Sequence, residues 1–142
     1  MTTPSVSELL SSAVDTTRSL HAEVESLTQQ LLLFETHLLS QKLGVYACVA
    51  QPQVSGDGEP IIRLHFGKHG PKWGLFIETL RPEEASIWTP IQHATRQHRI
   101  WAASVLAQLV ECLLEKAQHE LASARTAKHQ VASLLTSLGA AV

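Results

Sequence analysis

The residues best suited to chemistry lie in one short stretch, LHFGKHGPKWGLFIE (64–78). It places two histidines, two lysines and three aromatic side chains around three glycines and a proline. Basic groups beside aromatic rings can bind small anions or stack on nucleic-acid bases. The alternative is an ordinary β-hairpin, in which Arg63 pairs diagonally with Glu78, Phe76 packs under a helix and the lysines keep a sheet edge soluble. The sequence leaves both interpretations open.

A second basic segment, ATRQHRIWAAS (94–104), lies close by in the sequence. Residues 61–100 carry six Lys or Arg against three Glu, whereas residues 1–60 carry two basic and seven acidic residues. Together the two segments form a candidate recognition surface. Its predicted members are Arg63, His65, Lys68, His69, Lys72, Phe76, Arg96 and Arg99. Alternatively, the last two arginines pair with acidic residues of the N-terminal segment, for which Glu23, Glu25 and Glu35 are the candidates.

Metal binding and catalysis have weaker support. His65 and His69 flank a predicted turn, and His93 and His98 lie five residues apart, but no HExxH or CxxC spacing is present. Cys48 and Cys112 lie between apolar residues and are typical of small core side chains. We therefore expect no enzyme activity, no metal and no cofactor, with a small metal- or ligand-binding site in the histidine-rich region as an alternative function.

The composition is that of a folded chain. Of its 142 residues, 44% are hydrophobic and 17% are charged, which favours one domain over residues 1–142. The N-terminus lacks a signal-peptide pattern, and the longest apolar run there, Leu31 to Phe34, is far shorter than a membrane span. We therefore expect a protein that does not enter a membrane. Two widely separated cysteines favour a reduced, cytoplasmic chain, with a single disulfide between them as the alternative.

The N-terminal segment predicts a long helix over about residues 6–42. Ser5 and Glu8 form a capping-box pattern, and Gly44 suits the position just after the last turn. Apolar residues recur at alternating steps of three and four, as in a helix that packs along another helix. The seam residues proposed for this helix are Leu20, Val24, Leu27, Leu31 and Phe34.

A second helical segment is predicted over about residues 90–138. Thr89, Pro90 and Gln92 form a helix-start pattern, and no further glycine or proline occurs before Gly139. Whether this segment is one helix or bends near residues 116–124 stays open. One apolar stripe includes the proposed seam residues Val110, Leu114 and Leu121. A second apolar face carries Trp101, Val105, Leu109 and Cys112, so we expect the helix to be covered on two sides.

Between the helices the apolar pattern changes to period two, which predicts three strands within residues 45–80. A turn at His69-Gly70 would place Phe66 opposite Trp73 and Leu64 opposite Leu75, with every apolar partner on one face. The segment QVSGDGE (53–59) is predicted to connect the first two strands.

These patterns predict an α+β fold of order α-β-β-β-α, in which two long helices flank a three-stranded antiparallel sheet. The helices are expected to pack as a bundle or coiled coil, across a dimer, because one chain cannot cover all their apolar faces. The predicted function is non-catalytic assembly through a homodimer or larger homo-oligomer, together with an unidentified protein partner. The alternatives are nucleic-acid binding through residues 63–99 and the metal or ligand site.

Overall fold

The structure is a computed structural model that describes residues 2–52 and 59–139. Within these ranges the chain forms three α-helices, one short 3-10 turn and a four-stranded antiparallel sheet. The elements, in chain order, are α1 (Val6–Ser40), β1 (Ala47–Ala50), β2 (Ile61–His69), β3 (Lys72–Leu80), β4 (Ile87–Pro90), the 3-10 turn (Ile91–His93), α2 (Arg96–Ser104) and α3 (Leu106–Ser137). The mixed class agrees with the sequence prediction. The predicted connection at 53–59 lies, except for Glu59, outside the described residues.

The sheet has four strands in the order β1-β2-β3-β4, so the predicted three-stranded sheet is wrong. The strand that the prediction lacks is β4, which pairs with β3 from Phe76–Pro90 to Thr79–Ile87. Thr89 and Pro90 resemble a helix start, but Pro90 is extended, with φ −54° and ψ 144°. Proline is tolerated here because it ends a short edge strand, where a missing N–H breaks no inner ladder.

The β2–β3 hairpin turns at Gly70-Pro71, and its register differs from the predicted one by two residues. Phe66 faces Leu75 and Leu64 faces Ile77, whereas Trp73 faces Lys68. Gly70 has φ +63° at the first turn position, which glycine adopts without strain. Because side chains alternate with period two, the shift leaves every residue on its predicted face.

Helix α1 begins as predicted. The Ser5 side chain accepts a hydrogen bond from the Glu8 N–H, and the Glu8 side chain accepts one from the Ser5 N–H. The helix ends at Ser40, two residues before the predicted end, and Lys42 rather than Gly44 has the first positive φ after it, at 50°.

The predicted helix at 90–138 is interrupted. Residues 91–93 form the 3-10 turn, α2 begins after the N-cap Thr95, and Val105 separates α2 from α3 with φ −114° and ψ 9°. Neither of the two alternatives that the sequence left open, one continuous helix or a bend near residues 116–124, is found, since the break lies at Val105 and α3 runs unbroken through residues 116–124. No glycine or proline marks the break. It lets α2 pack on α1 while α3 packs on β1.

The core lies between the inner face of the sheet and the helices. The strands contribute every second residue to it, including Val49, Leu64, Phe66, Leu75 and Ile77. The helices contribute side chains that are at most 7% exposed, namely Leu31, Leu38, Ala102, Leu109 and Leu113. The predicted second apolar face of the C-terminal segment is therefore the face that packs on the sheet.

Helices α1 and α3 cross the sheet in the same direction and hardly contact each other. Along α1, Thr28 contacts Arg99 of α2, whereas Leu38 lies beside Phe66 and Trp73 near the hairpin turn. Helix α3 follows α2 and reaches the same end of the sheet, where Cys112 and His119 lie beside Ala47. Both helices extend past the sheet, but at opposite ends.

We call residues 6–23 the N-terminal arm and residues 114–137 the C-terminal arm. No residue in either arm is buried.

A carboxylate from α1 completes the hydrogen bonding of β3. The Glu35 Oε2 atom accepts a hydrogen bond of 2.7 Å from the Leu75 N–H, just beyond the point where β4 stops pairing with Phe76. Gly74 makes room for this contact, because a Cβ atom there would lie 2.7 Å from the same oxygen. The interaction fixes α1 to the edge of β3.

We expect Glu35→Ala to lower the free energy of unfolding by about 1–3 kcal/mol, because it leaves a backbone donor without its charged acceptor. The control is Glu25→Ala, at an exposed position of the same helix, which should change the free energy of unfolding by less than about 0.5 kcal/mol. Urea unfolding at one protein concentration measures both. Equal effects of the two substitutions would contradict a stabilising role for the Glu35–Leu75 contact.

Candidate functional site

The outer face of the sheet, which the helices do not cover, carries most of the predicted recognition residues. Arg63, His65, His69, Lys72 and Phe76 alternate onto this face of β2 and β3. The remaining three lie elsewhere: Lys68 pairs with Trp73 on the opposite face, and Arg96 and Arg99 lie on α2 in the helical layer. The eight residues therefore do not form one continuous surface.

His65 is the centre of the outer face. Although no helix covers it, its side chain is only 2% exposed. Its ring stacks on Trp88 with centroids 4.0 Å apart and on Tyr46 with centroids 5.4 Å apart. Both ring nitrogens are hydrogen bonded, Nε2 to the Glu78 Oε1 atom at 2.9 Å and Nδ1 to the Tyr46 hydroxyl.

Glu78 fixes the tautomer of this histidine. Its carboxylate can only accept, so His65 donates from Nε2, and Nδ1 accepts from the Tyr46 hydroxyl. The same Glu78 oxygen accepts a hydrogen bond of 3.3 Å from Arg63, which lies directly opposite on β2. The predicted Arg63–Glu78 pair is present, as a directly cross-strand rather than a diagonal pair. Tyr46, just before β1, thus forms one hydrogen-bonded network with His65 and Arg63 of β2 and Glu78 of β3.

The pKa values of these hydrogen-bonded residues favour one protonation state. Burial lowers the pKa of His65 despite the nearby carboxylate, so the ring is neutral at pH 7. Burial alone would raise the pKa of Glu78, but hydrogen bonds from His65 and Ser86 and the charge of Arg63 outweigh it, and the pKa is lowered. Burial, followed by the effect of Cys48, raises the pKa of Tyr46 to about 12.

Gly67 allows the Tyr46 ring to lie over β2. A Cβ atom at Gly67 would lie 2.4 Å from the Tyr46 Cδ2 atom, which is closer than any real contact. On the other side of the cluster, the His69 ring stacks on Trp88 with an angle of 4° between the planes and meets the edge of Phe76. Aromatic rings thus cover the hydrogen-bonded residues of the outer face and shield them from water.

This arrangement can hold a proton donor at the surface. The Tyr46 side chain is 40% exposed, and its hydroxyl is oriented by the His65–Glu78 pair. With a pKa near 12 the hydroxyl stays protonated and acts as a hydrogen-bond partner rather than as a nucleophile. Burial also raises the pKa of the Cys112 thiol, which keeps it protonated; both cysteines are free.

The basic residues of α2 face the helical layer. Arg99 donates a hydrogen bond of 2.8 Å from Nη1 to the Thr28 hydroxyl on α1, and its Nε atom is buried without a partner within the described residues. Its contact with α1 is therefore made through a hydroxyl and not through the predicted acidic partners Glu23, Glu25 or Glu35. Arg96 is exposed at the start of α2.

The histidines proposed for a metal do not converge. His65 and His69 both stack on Trp88 on the outer face, whereas His98 lies on the helical side, where burial lowers its pKa. In the described part of the chain, no group of three or more His, Cys, Asp or Glu side chains is placed to hold a metal ion.

The predicted seam residues have two different environments. On α1, Val24 and Leu31 are buried, and Leu27 and Phe34 are half-buried against the same core. Helix α1 packs mainly on α2, the 3-10 turn and β3, and not along α3. Leu20 of α1 and the α3 seam residues are exposed by 36–58%: Leu20, Val110, Leu114 and Leu121. Over residues 2–52 and 59–139, no helix is long and apolar enough to cross a membrane.

The sequence prediction missed Tyr46 and Trp88, which enclose His65. Tyr46 immediately precedes β1, and Trp88 lies in the unpredicted strand β4. The sequence does show that aromatic residues lie on both sides of the hairpin segment. That they enclose His65 follows only from the four-strand order. Comparisons with protein-family models, curated proteins and solved structures found no match for this chain.

We expect the stability of the protein to decrease as the pH falls from 7 towards 5. The pKa of His65 is lower in the folded than in the unfolded chain, so the unfolded chain binds the proton first. His98 contributes in the same direction. His65→Phe keeps a ring in the stack but removes the titration, and should make the free energy of unfolding depend less on pH. The control His37→Asn changes an exposed histidine. If His65→Phe leaves the pH dependence of the free energy of unfolding unchanged, then His65 does not cause it.

Gly67→Ala should displace the Tyr46 ring and destabilise the fold by about 1–3 kcal/mol through overpacking. In a Tyr46→Ala background the same glycine substitution should cost much less, because the clash is gone. A double-mutant cycle by urea unfolding measures this coupling. Additive effects would show that Tyr46 does not lie over Gly67.

Proposed function

We propose that this chain is a non-catalytic assembly protein that acts as a homodimer, held together by the helical surface that its own sheet leaves uncovered. The observation that carries the proposal is the exposed apolar surface of the two arms. Val6, Leu9, Leu10 and Val14 of the N-terminal arm are 48–82% exposed. Leu114, Leu121, Val131 and Leu134 of the C-terminal arm are 49–64% exposed.

The accessible area supports a sizeable interface. A compact monomer of 15.5 kDa has an accessible surface of about 7,200 Å². This chain has 10277 Å², an excess of about 3,000 Å². Stable interfaces bury about 800 Å² per partner, and obligate dimers bury more. The excess is thus large enough for an obligate interface, and the exposed apolar side chains of both arms contribute to it.

Direction and charge favour a second copy as the occupant. The arms leave opposite ends of the sheet, so one chain cannot pair its own two arms. A two-fold axis perpendicular to the helices reverses the direction of the second copy and places each N-terminal arm antiparallel to the partner's C-terminal arm. The N-terminal arm carries three acidic residues and one arginine, whereas the C-terminal arm carries three basic and two acidic residues. Opposite net charges suit this pairing better than the pairing of like arms.

Sedimentation of the purified chain should give twice the 15.5 kDa mass of one chain. Leu10→Glu and Leu121→Glu should each shift the protein towards monomer, because each places a charge in the seam. The matched controls are Ser12→Glu and Thr126→Glu, on the opposite sides of the same helices, which should stay dimeric. A wild-type monomer at micromolar concentration would contradict the proposal.

Mixing the two disruptive variants tests which arms pair. In a dimer of Leu10→Glu with Leu121→Glu, antiparallel arm exchange puts both charges in one seam and leaves the other seam intact. The mixture should therefore recover dimer that neither variant forms alone. If instead each arm packs on its own counterpart, every seam carries a charge and the mixture stays monomeric.

A further inference from the structure

A cavity of about 480 Å³ lies at the end of the sheet away from the hairpin turn. It is bounded by the inner face of the sheet and by the 3-10 turn with the start of α2. Its volume is within the range of small-molecule sites, which combine an apolar lining with a few polar groups that fix orientation. The cavity is separate from the outer-face cluster and does not involve the arms.

The floor of the cavity is apolar. Ile62 of β2 and Ile77 of β3 form it, and Ala94 borders it at the end of the 3-10 turn. All three residues belong to the buried set of the protein, so the floor is built on packed side chains. A ligand with an apolar body would cover this floor and exclude water from it.

Polar groups surround the mouth. Arg81 carries a permanent positive charge, and His93 and His98 lie on the opposite element. Among the described residues, these three side chains make no hydrogen bond or ion pair, so their donors are available to a ligand. Burial lowers the pKa of His98, which is therefore a neutral donor at pH 7. Glu59 also borders the cavity and is engaged in a contact of its own.

We propose that this cavity binds a small organic monocarboxylate, with the carboxylate at Arg81 and the apolar tail on the Ile62–Ile77 floor. One guanidinium suits one carboxylate, which it can hold through two parallel hydrogen bonds. The threonine hydroxyls of Thr79 and Thr89 line the wall between the floor and the mouth and can donate to the same head group. The site thus offers polar groups for the carboxylate head of an amphipathic acid and an apolar floor for its tail.

Titration of the full chain with sodium octanoate, followed through the ring signals of its histidines by NMR, tests the proposal. We expect saturable shifts of the His93 and His98 signals and little effect on His37. Arg81→Gln should weaken octanoate binding at least tenfold, because the carboxylate loses its charged partner. The control Arg125→Gln removes an equal charge from the C-terminal arm and should leave the affinity unchanged.

Two comparison ligands define the class. 1-Octanol has the tail without the charge, and inorganic phosphate has a charge without the tail; both should bind at least tenfold more weakly than octanoate. Octanol binding as tightly as octanoate would overturn the role of Arg81. Tighter binding of phosphate would overturn the choice of a carboxylate. Shifts that do not saturate, or that are equal in Arg81→Gln, would overturn the site itself. Signals elsewhere in the spectrum of Arg81→Gln that match those of the wild-type protein will show that the variant is folded.

Discussion

The structure depends on a mismatch of length between its helices and its sheet. The longest strands have nine residues and span about 30 Å, whereas α1 and α3 have 35 and 32 residues and span about 52 and 48 Å. A sheet of this size can cover only the middle of such helices. The uncovered remainder is not polar, because the apolar stripes continue through both arms. The same periodic pattern thus contributes to the core of the chain in one half of each helix and leaves apolar side chains exposed in the other half.

The outer face of the sheet is shielded from water in a different way. No helix shields it, yet it contains a histidine and a glutamate that are nearly inaccessible to water. Burying such groups is costly unless they are hydrogen bonded to each other, and the His65–Glu78 pair meets this condition. Rings of residues from the neighbouring strands then replace the missing helix as a cover. The cover depends on Gly67, whose missing side chain lets a ring lie against the backbone.

The predictable parts of this protein are those set by local pattern. The start of α1 follows from Ser5 and Glu8, and the alternation in β2 and β3 assigns each side chain to a face whatever the register. The strand β4 could not be predicted, because Thr89-Pro90 is equally typical of a helix start and only pairing with β3 decides the matter. The break at Val105 has no local signal either. The alternation also predicted that Arg63 and Glu78 share a face, although the predicted contact was diagonal and the observed pair is directly opposite. The enclosure of His65 by Tyr46 and Trp88 could not be predicted, because it depends on the strand order.

The proposed dimer keeps the helical layer and the outer sheet face apart. When two helical layers meet about a two-fold axis, both sheets turn outwards and both outer faces remain exposed. The cavity lies between these regions, because α2 closes it on one side and presents the exposed Ile100 to the helical surface on the other. Neither arm borders the cavity, so a ligand bound there would leave the apolar surface of the proposed interface free.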